Sequence, residues 1–143
     1  MRLSFWTVRA RRWVMVGLAL LWFCSLGANA ATMANGKPFA GFSILILGWT
    51  EVPLGQPAWL ANLFLLPALL LIPQRQSNPR LLNILGIALM ACAIAALLWR
   101  TIPDTTGRVA IMSYDEGYYL WMAAVIGTSL AAVATASTEQ VQE

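Results

Sequence analysis

Apolar residues in this chain gather into long blocks divided by short polar breaks, with no sustained alternation of the kind that marks half-buried strands. One block fills 13–29, a longer one 39–74, a third 81–99 and a fourth 117–136. A hydrocarbon core of ~30 Å is crossed by ~20 helical residues. The first, third and fourth blocks therefore each predict one spanning helix. The whole pattern predicts an all-α fold: an integral membrane four-helix bundle in a single domain, 1–143, with a broken second segment.

The break decides the threading. FAGFSILILGW is followed by the polar TEVPLGQ and then by PAWLANLFLLPALLLIPQ. Two readings stand. In one, the chain crosses once through 57–72, and 39–52 is an interfacial or half helix near the outer face. In the other, both halves cross and every later loop changes sides. The first half, ending at Thr50, is about a dozen residues, short of the ~17 that even a short span requires, which favours one crossing. Counting basic residues does not separate the readings, because Arg75 and Arg80 merely exchange sides with Arg100 and Arg108.

The flanks orient the bundle. Arg2, Arg9, Arg11 and Arg12 precede the first block and hold the N-terminus in the cytoplasm. Ala28-Asn29-Ala30 fits a small-x-small cleavage pattern, so the first block is either a retained signal anchor or a signal peptide removed after Ala30. Its near-spanning length and the bulky Trp22 and Phe23 favour the anchor. ATMANGKP, 31–38, is a turn-prone outer loop. QRQSNPR, 74–80, is a cytoplasmic turn between Pro73 and Pro79. In 101–116, Arg108 to Met112 follow Thr105-Thr106-Gly107 with strand character after a turn signal, which predicts a small extracytoplasmic β-hairpin. Both termini are then cytoplasmic.

Composition narrows the chemistry. Hydrophobic residues make up 59% of the 143 and charged residues 10%, with mean hydropathy +0.69, against about a quarter charged in soluble domains. The net charge of +3 comes from arginines beside apolar blocks, so it reports orientation in a membrane and predicts no nucleic-acid partner. The absence of histidine removes the commonest metal ligand and the usual general base. Cys24 and Cys92 stand singly, with no CxxC pair. GxxxxGK[ST], HExxH and GxSxG motifs are missing. The expectation is a protein that is not an enzyme and has no catalytic residue, metal or cofactor.

Glu51 is the candidate functional residue, since an ionisable group at membrane depth marks an ion path or proton relay. Trp49 and Trp59 bracket it as interfacial belt residues would, and in that reading the carboxylate faces water at the headgroup level. The second reading is favoured and the first stays open. The broken segment is similar in outline to the discontinuous helices of transporters, but no second break of its kind recurs later in the chain.

Asn62 and Asn83 are expected to turn inward and bond across helices. Ala88, Cys92 and Ala96 recur every four residues, as do Ala123, Gly127, Ala131 and Thr135. Such small-residue faces predict either tight packing of the third and fourth spans or contact with a second copy or a partner membrane protein. Tyr118, Tyr119 and Trp121 read as interfacial anchors. Asp104, Asp115 and Glu116 form an acidic set with no base or nucleophile beside it.

Gly41 to Trp49, Ala58-Trp59-Leu60-Ala61-Asn62 and Gly117-Tyr118-Tyr119-Leu120-Trp121 resemble short blocks of small bacterial four-span inner-membrane proteins with no assigned activity. That resemblance implies a multi-pass protein of the cell inner membrane that keeps its first span, and it carries over no catalytic residue. The expected role is structural or accessory, with the lipid bilayer as surroundings. The alternative is a minimal oligomeric transporter or channel component using Glu51.

Overall fold

The computed structural model describes residues 6–74, 77–104 and 107–140. Arg2, Arg75, Thr105 and Thr106 of the preceding readings, and the side chain of Asp104, lie outside the described residues.

Helix α1 spans Val8–Gly27 and starts before the expected Trp13, because Thr7 caps it: its Oγ1 accepts from the Ala10 backbone N–H at 3.2 Å. At Ala28 the backbone becomes extended (φ −93°, ψ 159°) and enters strand β1, Asn29–Met33. Gly36, at φ 76°, turns the chain back into β2, Pro38–Ala40. The chain continues as α2, Gly41–Leu47, then a 3-10 turn over Gly48–Leu54 that stops at Gly55, a second over Pro57–Leu60, and α3, Ala61–Leu71. Helix α4, Pro79–Leu97, is capped by Asn78, whose Oδ1 accepts from the backbone N–H groups of Arg80 and Leu81, with Pro79 in the first turn. Strands β3, Thr101–Asp104, and β4, Gly107–Tyr114, precede α5, Glu116–Gln140.

The all-α expectation needs correction: the chain is mostly helical but also builds a four-stranded antiparallel sheet in the order β2-β1-β4-β3. The hairpin read in 101–116 is present as β3 and β4, paired from Thr101↔Ala110 to Asp104↔Gly107. The loop read in 31–38 is part of a second hairpin, and β1 joins the two through Ala31↔Tyr114, Thr32↔Ser113 and Met33↔Ile111. NAATM has little strand propensity of its own. Its pairing depends on burying Ala31 and Met33 with Ile102, contacts made by residues far away in sequence.

Helices α1, α4 and α5 are each long and apolar enough to cross a membrane, while Gly41–Leu54 and Pro57–Leu71 are shorter apolar stretches. Trp13, Leu20 and Phe23 of α1, Leu70 of α3 and Ile84 and Ile87 of α4 are all exposed. So large an apolar outer surface is what a helix bundle presents to lipid and what a soluble monomer avoids. Inside, Leu65, Leu82, Leu89 and Val125 are fully buried in one cluster. Helices α4 and α5 approach to backbone contact at Gly86: a Cβ there would lie 2.8 Å from Val133 Cγ2 and 3.1 Å from the Ser129 carbonyl. The Ser129 hydroxyl donates to the Gly86 carbonyl at 2.7 Å.

The sheet closes one end of the bundle. At the other, Arg11 pairs with Glu139 at 2.9 Å, and the Ser77 hydroxyl lies 3.0 Å from both carboxylate oxygens. Trp6 Nε1 donates to Thr135 Oγ1 at 3.0 Å. The start of α1, the turn before α4 and the end of α5 therefore share that end.

Candidate functional site

Beneath the sheet, among α1, α2, the two 3-10 turns, α4 and α5, lies a cavity of about 70 Å³. Asn62 and Glu51 both line it. A polar group buried among apolar helices requires a partner for each bond it gave up in water, and the two residues meet that requirement differently.

Asn62, in the first turn of α3, is buried and accepts at Oδ1 from the indole N–H groups of Trp22 and Trp121, each at 3.1 Å, while Nδ2 donates to the Trp59 carbonyl at 3.2 Å. Both lone pairs of its carbonyl are engaged. One side chain thus ties α1, α3 and α5 together, the cross-helix bonding expected of it. Trp59 in turn donates from Nε1 to the Leu45 carbonyl at 2.9 Å. Gly48 permits this fit, since a Cβ there would lie 2.5 Å from Trp59 Cδ1. The two halves of the broken segment are therefore pinned to each other. Asn83, the other asparagine read as inward-turning, is half-buried on α4.

Glu51 does not face water as the bracket of tryptophans led one to expect. It is 4% exposed, and Arg108 of β4 donates from Nη2 to its Oε2. Gly55, at φ 87°, ends a 3-10 stretch in which Trp49 is exposed while Glu51 is enclosed and reached by Arg108. The Arg108 side chain stays 45% exposed, against 6% for that of Glu51. This is a buried anion held by a cation that reaches in from solvent.

The aromatic residues read as anchors mostly build the wall of this site. The Tyr118 hydroxyl donates to the Ala96 carbonyl at 3.1 Å, and its ring stacks on Tyr114 at 4.3 Å between centroids. The Tyr114 hydroxyl donates to the Trp99 carbonyl. Trp121 is committed to Asn62, and only Tyr119 of the three is exposed. Of the acids of the connecting loop, the two whose side chains are described go separate ways: Asp115 accepts from the Thr32 hydroxyl at 2.8 Å, joining β1 to the start of α5, and Glu116 is exposed. Among the described residues no group of three His, Cys, Asp or Glu is placed to hold a metal ion.

The packing residues divide. On α4, Cys92 and Ala96 are buried and Ala88 is half-buried. On α5, Ala131 and Thr135 are buried, Gly127 faces Leu18 of α1, and Ala123 is exposed. The four-residue stripe of α5 winds from the outside of the bundle toward α1. The close approach to α4 is made instead by Ser129 and Ala132, opposite Gly86.

Arg108 and Trp22 are the participants that sequence reasoning missed. The signal for Arg108 is that it is the one arginine inside the hairpin, as Glu51 is the one acid inside the broken segment. No protein-family model matches this chain, and neither a curated protein nor a solved structure matches it.

Proposed function

We propose that this chain is a small, non-enzymatic integral membrane protein with four spans, both termini in the cytoplasm and a β-sheet cap on the outer face, acting in a structural or accessory capacity. The observation that carries the threading is the sheet. Its hairpins, 29–40 and 101–114, are hydrogen-bonded to each other through β1 and β4, so they lie on the same side of any bilayer. The chain between them must then cross an even number of times. Helix α4 is one crossing, which leaves a single crossing for residues 41–74, by Pro57–Leu71, with Gly41–Leu54 lying along the sheet end.

The opposite end supports the orientation. Arg11, Ser77 and Glu139 meet there, which supports a shared side for Arg9, Arg12, Arg80 and both described chain ends. An arginine-rich side is the cytoplasmic one. Topology reporters inserted after Asn78 and after Gly107 test this: cytoplasmic signal at the first and external signal at the second is expected, and the reverse pattern overturns the threading.

The second reading, a minimal oligomeric transporter or channel component, draws on the burial of Glu51 beside a cavity. Against it stand the neutralising contact from Arg108 and the fully buried Leu65, Leu89 and Val125 that fill the bundle core. Flux in reconstituted vesicles that Glu51→Gln abolishes would favour transport over the accessory role.

A further inference from the structure

We propose that the cavity beneath the sheet binds a small ammonium group, with Glu51 as its counter-ion and Arg108 as a tethered cation that the ligand displaces. The inference rests on the folded cavity and not on the threading or the accessory role.

The chemistry of the lining sets the class of ligand. Glu51 is the one charged residue among those lining the cavity, and no basic residue joins it there. The donors around it are largely committed: the Trp59 indole to the Leu45 carbonyl, the Trp121 indole to Asn62, the Tyr118 hydroxyl to the Ala96 carbonyl and the Ser25 hydroxyl to the Trp22 carbonyl. What the lining offers a guest is one carboxylate, the Gln56 side-chain amide and the rings of Trp59, Trp99, Trp121 and Tyr118. Carboxylate and aromatic rings are the two surfaces that attract an ammonium ion. An anion would meet Glu51 as a like charge.

Arg108 makes exchange feasible. Among the described residues it is the partner of the Glu51 carboxylate, and it reaches that carboxylate from β4 without lining the cavity. Because its side chain is already 45% exposed, release returns it to water at little cost, as for other pairs with a solvated member. The carboxylate has no such option, since a buried anion requires a cation beside it. A ligand ammonium therefore replaces one cation with another, and the outward-swinging arginine leaves the hairpin side open. The volume bounds the guest: about 70 Å³ is roughly half the ~150 Å³ apolar cavity that admits benzene. That suits a short alkylammonium or the headgroup of a larger amphiphile such as phosphatidylethanolamine.

The test is calorimetric titration of the full chain in phosphatidylglycerol nanodiscs with ethylammonium, and with 1-propanol and propionate as neutral and anionic analogues of similar size. Saturable ethylammonium binding, with both analogues weaker by about tenfold or more, is expected. Glu51→Gln should weaken it by about tenfold or more. Arg108→Gln, a change at a half-solvated side chain that leaves Glu51 in place, should tighten it roughly two- to fivefold, since the competing cation is gone. Nanodiscs containing phosphatidylethanolamine distinguish the source: a lower apparent ethylammonium affinity identifies the lipid headgroup as occupant, and an unchanged one identifies a free amine. Absence of binding, equal binding of 1-propanol, or an Arg108→Gln protein with unaltered affinity overturns the proposal.

Discussion

Among the described residues each end of the bundle holds one arginine–carboxylate pair, and the two pairs are built for different purposes. At the end where the helices begin and finish, Arg11 and Glu139 are both enclosed, with side chains 9% and 14% exposed, and the Ser77 hydroxyl adds a contact to the carboxylate. At the sheet end Glu51 is enclosed while Arg108 is 45% exposed, and a cavity lies alongside. The first pair joins three separate parts of the chain and has no solvated member to let go. The second has one member that water will take back. A fixed clasp and an exchangeable contact can thus be told apart by the exposure of the cation alone.

The sharpest way to break this contrast is Glu139→Ala, which strands Arg11 in a buried position. Loss of about 3–5 kcal/mol of stability is expected, read from reversible unfolding in detergent, and a loss as small as that from Glu51→Gln would erase the distinction. Asn62→Leu comes next. It leaves the Trp22 and Trp121 indoles without an acceptor and should cost about 2 kcal/mol, with the two indole N–H signals shifting in an NMR spectrum. Gly86→Ala forces α4 away from Ser129 and Val133 and is expected to cost roughly 1–2 kcal/mol. Gly17→Ala on α1, where a Cβ would meet nothing within 4 Å, should instead stabilise by roughly 0.5–1 kcal/mol, so the pair separates packing from helix propensity. The smallest effect is expected from Glu51→Gln, which leaves only the half-exposed Arg108 side chain to water, under about 1 kcal/mol.

The parts of the fold that depend on long apolar runs were legible in the sequence. Helices α1, α4 and α5 follow from uninterrupted stretches whose length alone sets their type, and the cap at Asn78-Pro79 marks the start of α4. The hairpin of 101–116 carried its turn and its β-branched residues locally. Strand β1 had a turn signal after it but a single β-branched residue, Thr32: Asn29 to Met33 is a strand because Tyr114, Ser113 and Ile111 lie beside it, and a partner more than seventy residues away leaves no mark on a five-residue window. Glu51 was recognisable as the acid to watch, but its environment was misjudged for the same reason. Trp49 and Trp59 suggested an interface by their spacing, whereas the carboxylate meets an arginine on a distant strand. Asn62 was recognised as a cross-helix donor and acceptor; its specific partners, two tryptophans from different helices, required the tertiary fold.

The pairing of the two hairpins is the fact on which the threading depends, and a disulfide tests it in an intact membrane. With Cys24 and Cys92 replaced by serine, Thr32→Cys and Ser113→Cys place thiols on directly opposed positions of β1 and β4. A chain that crosses once between residues 41 and 74 holds both thiols on the outer face, and an impermeant oxidant should join them in a single chain, visible as a faster-migrating species that reductant reverses. A chain that crosses twice puts the bilayer between them. No crosslink under those conditions, with only one of the two thiols accessible to an impermeant maleimide, would contradict the single crossing and the shared sheet together.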